Sequence, residues 1–377
     1  GGSGGFNLGI KFMLSKNKYE YLLLLDNDVI LANDCIEQGI KILDCDKDIG
    51  MLGCEILKMD MPEIIQEFGP TIDYKNINFI LNYGGQKDEG LPQCVECDYV
   101  PACAMFIRIE VIKKIGCMPQ ENFIYYDDIT WGVRCKNAGY RICATSLAKA
   151  WHKGGAAVNT TTFPNYYLTR NKVKFFVENP NNLENGLEEY ADRILRDIYQ
   201  GIFVCKLNGR YNTAKTRMLA FLDALYGVAG KAEEYKIMDS DVYKDNFKEL
   251  IQGKSHIAIH MCGLWEQTRR IICRINDISN HKMIIDIYDE KYCNSKILGL
   301  PIRQQNKEKN SAEIDIYVCT HILNVDCYDD NIILVDGWQN IIANKDGYKK
   351  IIEFSKEFKE FKFLYKDMLV SKLKNYK

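Results

Sequence analysis

The sequence predicts an α/β architecture with a second, smaller α/β domain behind a helical region, and three observations carry that prediction. The first is the run Tyr21–Leu31, YLLLLDNDVIL, in which an unbroken apolar stretch ends in Asp26-Asn27-Asp28. Such a run reads as a buried parallel strand that delivers two carboxylates to the carboxyl edge of a sheet. The second is the alternation of strand-length apolar runs with amphipathic helical stretches up to about residue 145, the pattern of a layered α/β unit. The third is a set of four short apolar runs, Ile257–Met261, Met283–Ile287, Ile314–Cys319 and Ile332–Val335, again with helical stretches between them. A chain of 377 residues is long enough for roughly two domains at about 150 residues each.

Taken in order, the periodicity predicts a helix over 7–17, a strand over 20–26, and a helix over 33–44 that Asn33 or Asp34 can cap. A strand over Gly50–Ile56 follows. Residues 60–93 are polar and rich in turn formers, with hairpin character around Asn82-Tyr83-Gly84-Gly85, and read as an insertion over one face. Tyr99–Arg108 is a mixed apolar strand, and Glu110–Ile115 a short helix stopped by Gly116. A helix over Asp128–Ala138 ends at Gly139, before a strand over Arg141–Thr145. From Phe163 to about Ala232 the pattern is helical, including amphipathic stretches at Leu187–Val204 and Ala214–Val228 that read as packing faces. The predicted domains are 1–160, a helical region 161–249 packing on it, and an accessory α/β domain 250–377, whose Lys-rich end reads as a solvated helix face.

Composition excludes several classes. With 49 basic and 51 acidic residues there is no bias toward nucleic acid. No apolar run approaches the 18 or so residues of a spanning helix. The fifteen cysteines are scattered over the chain and read as reduced thiols rather than a disulfide framework. The Cys94-x-x-Cys97 pair has no second pair at zinc-ribbon spacing and is not read as a metal site. His256, His260, His281 and His321 form no pattern, and Cys262-Gly263 lacks a full G-x-G-x-x-G.

Chemistry concentrates in two places. Asp26 and Asp28 are oxygen donors one residue apart, suited to a hard divalent cation, although Asp and Asn also favour plain turns. The segment Asn122–Gly155 carries Asp127-Asp128 at a helix start, where an N-terminus stabilises carboxylates. Trp131 follows one turn later, then Trp151-His152-Lys153-Gly154-Gly155. Trp131 reads either as a platform for a sugar ring or as core, and Arg170 as a partner for a phosphate or for a structural carboxylate. The opening Gly-Gly-Ser-Gly-Gly reads as a native Gly-rich turn before a helix, where backbone can approach a nucleotide, in a chain cut short at its amino end.

At these residues the sequence resembles the family 2 glycosyltransferases of the nucleotide-diphosphosugar GT-A fold, over Gly1 to about Asn171. The resemblance rests on GGSGGFNLG, DND as a D-x-D motif, YYDDITWGVRCKNAGY, AWHKGG and the segment Tyr166–Asn171, and is strongest to bacterial galactofuranosyltransferases and rhamnosyltransferases. It implies an inverting sugar transfer dependent on Mn²⁺ or Mg²⁺, from a donor of the UDP-galactofuranose or dTDP-rhamnose type. The implied acceptor is a hydroxyl of a cell-surface polysaccharide or lipid-linked glycan. It implies Asp128 as catalytic base, Asp127 and Trp131 at the acceptor, Gly4, Gly5, Asp26 and Asn27 at the donor, and Asp26, Asp28 and His152 on the metal. The implied location is cytoplasmic, with peripheral contact at the inner face of the plasma membrane. The rival reading is a non-catalytic sugar-binding or scaffold protein that retains the fold.

Overall fold

The computed structural model describes residues 1–153, 160–181, 183, 186–242, 245–304, 311–319, 322, 333–337, 339–343 and 347–376. By internal contact the chain forms two compact units. The first comprises Gly1–Glu184, Leu219–Met238 and Asn375–Lys377, and the second Asn185–Met218 and Asp239–Lys374. The helical stretch read as a region of its own is thus divided between them.

The first unit opens with α1 (Gly2–Lys16), β1 (Tyr21–Leu25), β2 (Val29–Leu31), α2 (Cys35–Cys45) and β3 (Ile49–Lys58). The inserted stretch contributes β4 (Ile65–Glu67), β5 (Thr71–Asp73), β6 (Asn78–Ile80) and β7 (Cys94–Glu96). Then come β8 (Ala104–Arg108), α3 (Ile109–Ile115), α4 (Asp127–Asn137), β9 (Arg141–His152) and α5 (Phe163–Glu178). The central sheet has the order β1-β8-β3-β9-β2, with β4 paired to β3 and β7 to β9. β3 runs parallel to β9 and antiparallel to β8, so the sheet is mixed.

Three expectations are corrected here. β1 is an antiparallel strand at the end of this order, paired to β8 from Tyr21–Arg108 to Leu25–Ala104. Its run is uninterrupted because both faces are at least partly covered: Leu22 and Leu24 enter one core cluster, while Tyr21 and Leu23 pack on another. The hairpin of the insertion is β5–β6, Thr71 opposite Ile80, and it turns before Asn82–Gly85. The Gly-rich opening is no turn, since Gly4 and Gly5 lie inside α1, exposed to solvent. Glycine stops do appear where the sequence has them: Gly116 and Gly139 follow α3 and α4 with φ of 81° and 89°, in the region that suits glycine.

In the second unit α6 (Gly186–Leu207) lies against the terminal helix, and α7 (Tyr211–Tyr226) crosses between the units in sequence. There follow α8 (Asn246–Ile251), β10 (His256–His260), α9 (Trp265–Ser279), β11 (Ile284–Tyr288), β12 (Lys296–Ile297) and β13 (Leu300–Arg303). The unit closes with β14 (Ile314–Cys319), β15 (Ile333–Asp336), β16 (Ile341–Ala343) and α10 (Gly347–Lys374). Its sheet has the order β12-β13-β11-β10-β14-β15-β16, parallel from β13 through β15, the second α/β layer that the four apolar runs predict. The amphipathic face of α6 meets α10: Tyr199 packs among Phe354, Phe358 and Phe361, and Lys362 pairs with Asp192. No helix among the described residues is long and apolar enough to cross a membrane, and every described cysteine is a free thiol.

One buried cation fixes the loop ahead of α4. Arg170 on α5 is fully buried. It donates to Asn122 O at 2.9 Å, Gly230 O at 2.8 Å and Asn171 Oδ1 at 3.0 Å, under the rings of Tyr166 and Tyr167. Asn171 Nδ2 adds Asn122 O, Ile124 O and Tyr125 O at 2.8–3.0 Å. Two backbone carbonyls and the Asn171 side chain take the donors of Arg170, where a phosphate or a structural carboxylate was expected. Removing the guanidinium takes the donor from Gly230 O and Asn171 Oδ1, at about 1–3 kcal/mol per group, while Asn122 O keeps Asn171 Nδ2. Arg170→Met is therefore expected to lower unfolding free energy by about 3 kcal/mol or more, read as a fall in the urea midpoint at unchanged slope.

Candidate functional site

Two acidic groups define the site, one in a turn between strands of the sheet and the other at the start of α4. The chain leaves β1 at one end of the sheet order and joins β2 at the other through the turn Asp26-Asn27-Asp28. The two acids thus sit in a turn, and no strand alternation orients them. Asp26 N donates to Cys103 O at 3.0 Å, which ties the turn to the approach of β8, and Val29 stands opposite His152 in the β2–β9 pair. β9, predicted to end at Thr145, runs on for seven more residues and so carries His152 to this turn.

Ligand atoms of Asp26, Asp28 and His152 all lie within 4.8 Å of one another. Among the described residues they are the one group of three or more His, Cys, Asp or Glu that could hold an ion. His152 Nε2 is 3.4 Å from Asp28 Oδ1, with the imidazole largely buried and Asp28 about one-third exposed. Burial raises the Asp26 pKa, the His152 side pulls it back down, and Asp28 raises it again. Two carboxylates and an imidazole are a donor set for Mn²⁺ or another borderline divalent ion, and carboxylate with water also suits Mg²⁺. The residues therefore fit the metal that the resemblance implies. Asn27 is exposed, and Gly154 and Gly155 of the His motif lie outside the described residues, as does His321.

The second group stands at the start of α4. Phe123, Tyr125 and Tyr126 take φ of 67°, 62° and 66°, which presents Asp127 and Asp128 in the first turn of the helix. Asp128 Oδ1 accepts from Ile129 N at 2.8 Å and Oδ2 from Ala102 N at 3.3 Å. Burial, reinforced by the charge of Asp127, nevertheless pushes the Asp128 carboxyl up to about 7. Asp127 is also raised by burial, against the backbone N–H of Ser3 that favours its charged form. The first turn of α1 therefore meets an acid of the protein itself, and the positive helix end supports that carboxylate. At the same turn Gly1 lies so close to Phe123 that a Cβ there would come within 1.8 Å of its carbonyl oxygen.

Trp131, expected to be either platform or core, is core: it is fully buried and its indole N–H donates to Gly116 O at 3.0 Å. A ring with neither face accessible cannot stack on a sugar, which corrects its acceptor-binding assignment. Position on the helix placed it one turn from Asp127, yet the side turned toward α3 is the interior one.

Two residues of β4 escaped the sequence reading. Glu67 Oε1 is buried with no hydrogen-bond partner, and burial together with the charge of Asp128 lifts its carboxyl to about 8. Gln66 Nε2 lies 2.9 Å from His152 Nδ1. Both belong to the irregular insertion, where no periodicity or motif marks a functional side chain. By contrast Cys94 is exposed and Cys97 buried, and neither joins a cluster of metal donors among the described residues.

No family model matches the chain. Over 167 residues it is 23% identical to galactofuranosyltransferase GlfT2 of Mycobacterium tuberculosis, covering 40% of this chain and 26% of that protein. Over 168 residues it is 22% identical to galactofuranosyltransferase GlfT2 of Mycolicibacterium smegmatis, with the same two shares. The chain thus spans about a quarter of the length of these curated relatives. A solved structure described as A197 from STIV is similar at a TM-score of 0.29 and 15% identity, over 40% of this chain and 67% of that one; a score that low carries no argument. The distant similarity to galactofuranosyltransferases suggests a glycosyltransferase.

Proposed function

We propose that the chain is the catalytic part of a metal-dependent, inverting family 2 glycosyltransferase with a GT-A core. It moves a sugar from a nucleotide-diphosphosugar to a hydroxyl of a cell-surface polysaccharide or lipid-linked glycan. The observation that carries this reading is the convergence of Asp26, Asp28 and His152 within 4.8 Å, in a chain that also sets Asp128 at a helix start with a carboxyl near neutrality. The galactofuranosyl activity named for both relatives favours UDP-galactofuranose over a dTDP-rhamnose type of donor. The work takes place at the cytoplasmic face of the membrane, where lipid-linked acceptors are extended.

In this mechanism Asp26, Asp28 and His152 would hold Mn²⁺ or Mg²⁺, with Asn27 on the donor side. A bound divalent cation neutralises the charge that grows on the diphosphate as it departs. Asp128 takes the proton of the acceptor hydroxyl while that oxygen attacks the anomeric carbon on the face opposite the diphosphate. The new C–O bond forms as the bond to the diphosphate breaks, and the configuration inverts. A base near neutrality suits this task, being about half ionised near pH 7 yet basic enough to accept a proton. Asp127, anchored by Ser3, orients Asp128 and the acceptor. Glu67, with its carboxyl near 8, remains protonated at pH 7 and presents an O–H donor beside the base.

Asp128→Asn is expected to lower kcat by about 10³, within the range for loss of a general base, with nucleotide release from a panel of UDP- and dTDP-sugars as the assay. In the active enzyme kcat is expected to rise with pH along a limb centred at about 7 and to level off above it, because the base works only when ionised. An enzyme that neither turns over nor binds any nucleotide sugar in that panel defeats the proposal. Stability is expected to move the other way. Since the folded-state carboxyl titrates at about 7 against about 4 unfolded, the native state holds a proton that the unfolded state has lost between those values. Stability therefore falls as pH rises through that window. Asp128→Asn, which cannot ionise, should melt above the parent at pH 8, and the gap should close toward pH 4.

A further inference from the structure

Gln66 is the middle residue of β4, and that strand is held on both sides. β3 pairs with it through Ile56–Glu67 and Leu57–Ile65, with a register shift between the two pairs. On the other side Ile65 N donates to Gln86 O at 2.8 Å and Gly85 N to Ile65 O at 2.7 Å. The insertion is thereby pinned where it meets the sheet, and it presents the Gln66 amide to Nδ1 of His152 at 2.9 Å. The other ring nitrogen faces Asp28. Each nitrogen of the imidazole thus has its own partner, from a different element.

The two nitrogens are linked through the single proton of a neutral imidazole. With the Gln66 NH₂ presented to Nδ1, the amide donates and the ring proton lies on Nε2, directed at Asp28. That form cannot ligate through Nε2, whose lone pair is taken up by the N–H. Ligation there requires the proton on Nδ1, and a buried N–H then needs an acceptor. Gln66 has one to offer. A half-turn of its amide replaces NH₂ by Oε1 at the same place and with nearly the same shape. A carboxylate in its position would only accept, and a lysine would only donate.

The geometry points to Gln66 as a positioning residue of the metal centre: its amide determines which nitrogen of His152 carries the proton, and amide reversal turns the ring from a donor to Asp28 into a ligand. This rests on the metal-site reading above and adds a residue to it from the insertion. The energetic demand is small, because the same two groups remain bonded in both arrangements and only the direction of donation changes.

The test is Mn²⁺ affinity of the full chain by calorimetry, for the parent, Gln66→Met, Gln66→Glu and His152→Ala, with thermal melts to confirm folding. Met keeps the length of the side chain and removes both polar ends, so affinity is expected to fall 10- to 100-fold, the usual effect of losing a ligand's outer partner. Glu is a permanent acceptor and is expected to bind at least as tightly as the parent. A second readout is the ¹⁵N spectrum of His152 titrated with diamagnetic Zn²⁺, where the proton should move from Nε2 to Nδ1 in the parent. If Gln66→Met binds Mn²⁺ like the parent while His152→Ala is weakened, the positioning role falls and the metal site stands. Gln66→Glu weakened as much as Gln66→Met overturns the acceptor argument. If the parent itself binds no Mn²⁺, the metal reading falls and the inference with it.

Discussion

A fully buried guanidinium at Arg170 directs its donors at backbone carbonyls and at the side chain of its own neighbour, Asn171. Asn171 then shares its amide hydrogens among three carbonyls of the same loop, Asn122 O in common with Arg170 and Ile124 O and Tyr125 O in addition. This grip matters because of what it holds. Phe123, Tyr125 and Tyr126 all sit at positive φ, a conformation that costs a non-glycine residue roughly 1 kcal/mol or more. A hydrogen bond from a charged donor contributes about 1.5–3 kcal/mol, so the clamp is of the size needed to hold three such residues. Only a loop bent this way turns the chain abruptly enough to start α4 at Asp127.

The same constraint reaches the amino end of the described chain. Because the loop is fixed, Phe123 can pack closely on Gly1, and Ser3 can meet Asp127. Asn7 adds a reciprocal pair with the backbone of Met118, at 2.7 and 3.0 Å, so α1 is tied to the stretch before α4 at two places. A helix that begins Gly-Ser-Gly-Gly has poor intrinsic propensity in its first turn. What holds it there is docking, since Ser3, Asn7 and Ile10 are the residues it buries.

How much of this was legible in the sequence depends on whether a feature is local. Helix ends with glycine stops were readable at Gly116 and Gly139, because a positive-φ stop is a one-residue property. The pairing of Asp26 and Asp28 with His152 was readable only through a resemblance, as their meeting depends on β9 running beyond Thr145. Strand direction was not readable at β1, since an apolar run covered on both faces looks alike whether its neighbour is parallel or antiparallel. Trp131 shows the limit of helical spacing: one turn from Asp127 in sequence, it faces the interior. Gln66 and Glu67 were invisible for another reason. They sit in a three-residue strand within an irregular insertion, where neither period nor motif exists to single them out. The division of the helical stretch between two units was hidden too, because amphipathic periodicity gives a helix a buried face without naming its partner, and α6 finds that partner in α10, more than a hundred residues on.

The two acidic groups of the site are made of the same residue types and are set up for opposite tasks. In the Asp26–Asp28 turn burial raises the Asp26 carboxyl, the neighbouring imidazole offsets part of that rise and Asp28 adds to it, while Asp28 stays about one-third exposed. At the start of α4 burial dominates, and each acid raises its neighbour: Asp127 acts on Asp128, and Asp128 on Glu67. Carboxylates that crowd one another in a low-dielectric place retain protons. The ordering that results, Asp128 at about 7 and Glu67 at about 8, keeps one group able to take a proton at neutral pH and the other still holding one. That division of labour follows from which element each acid sits on. The turn between β1 and β2 reaches toward solvent at Asn27, while α4 and β4 turn Asp128 and Glu67 inward.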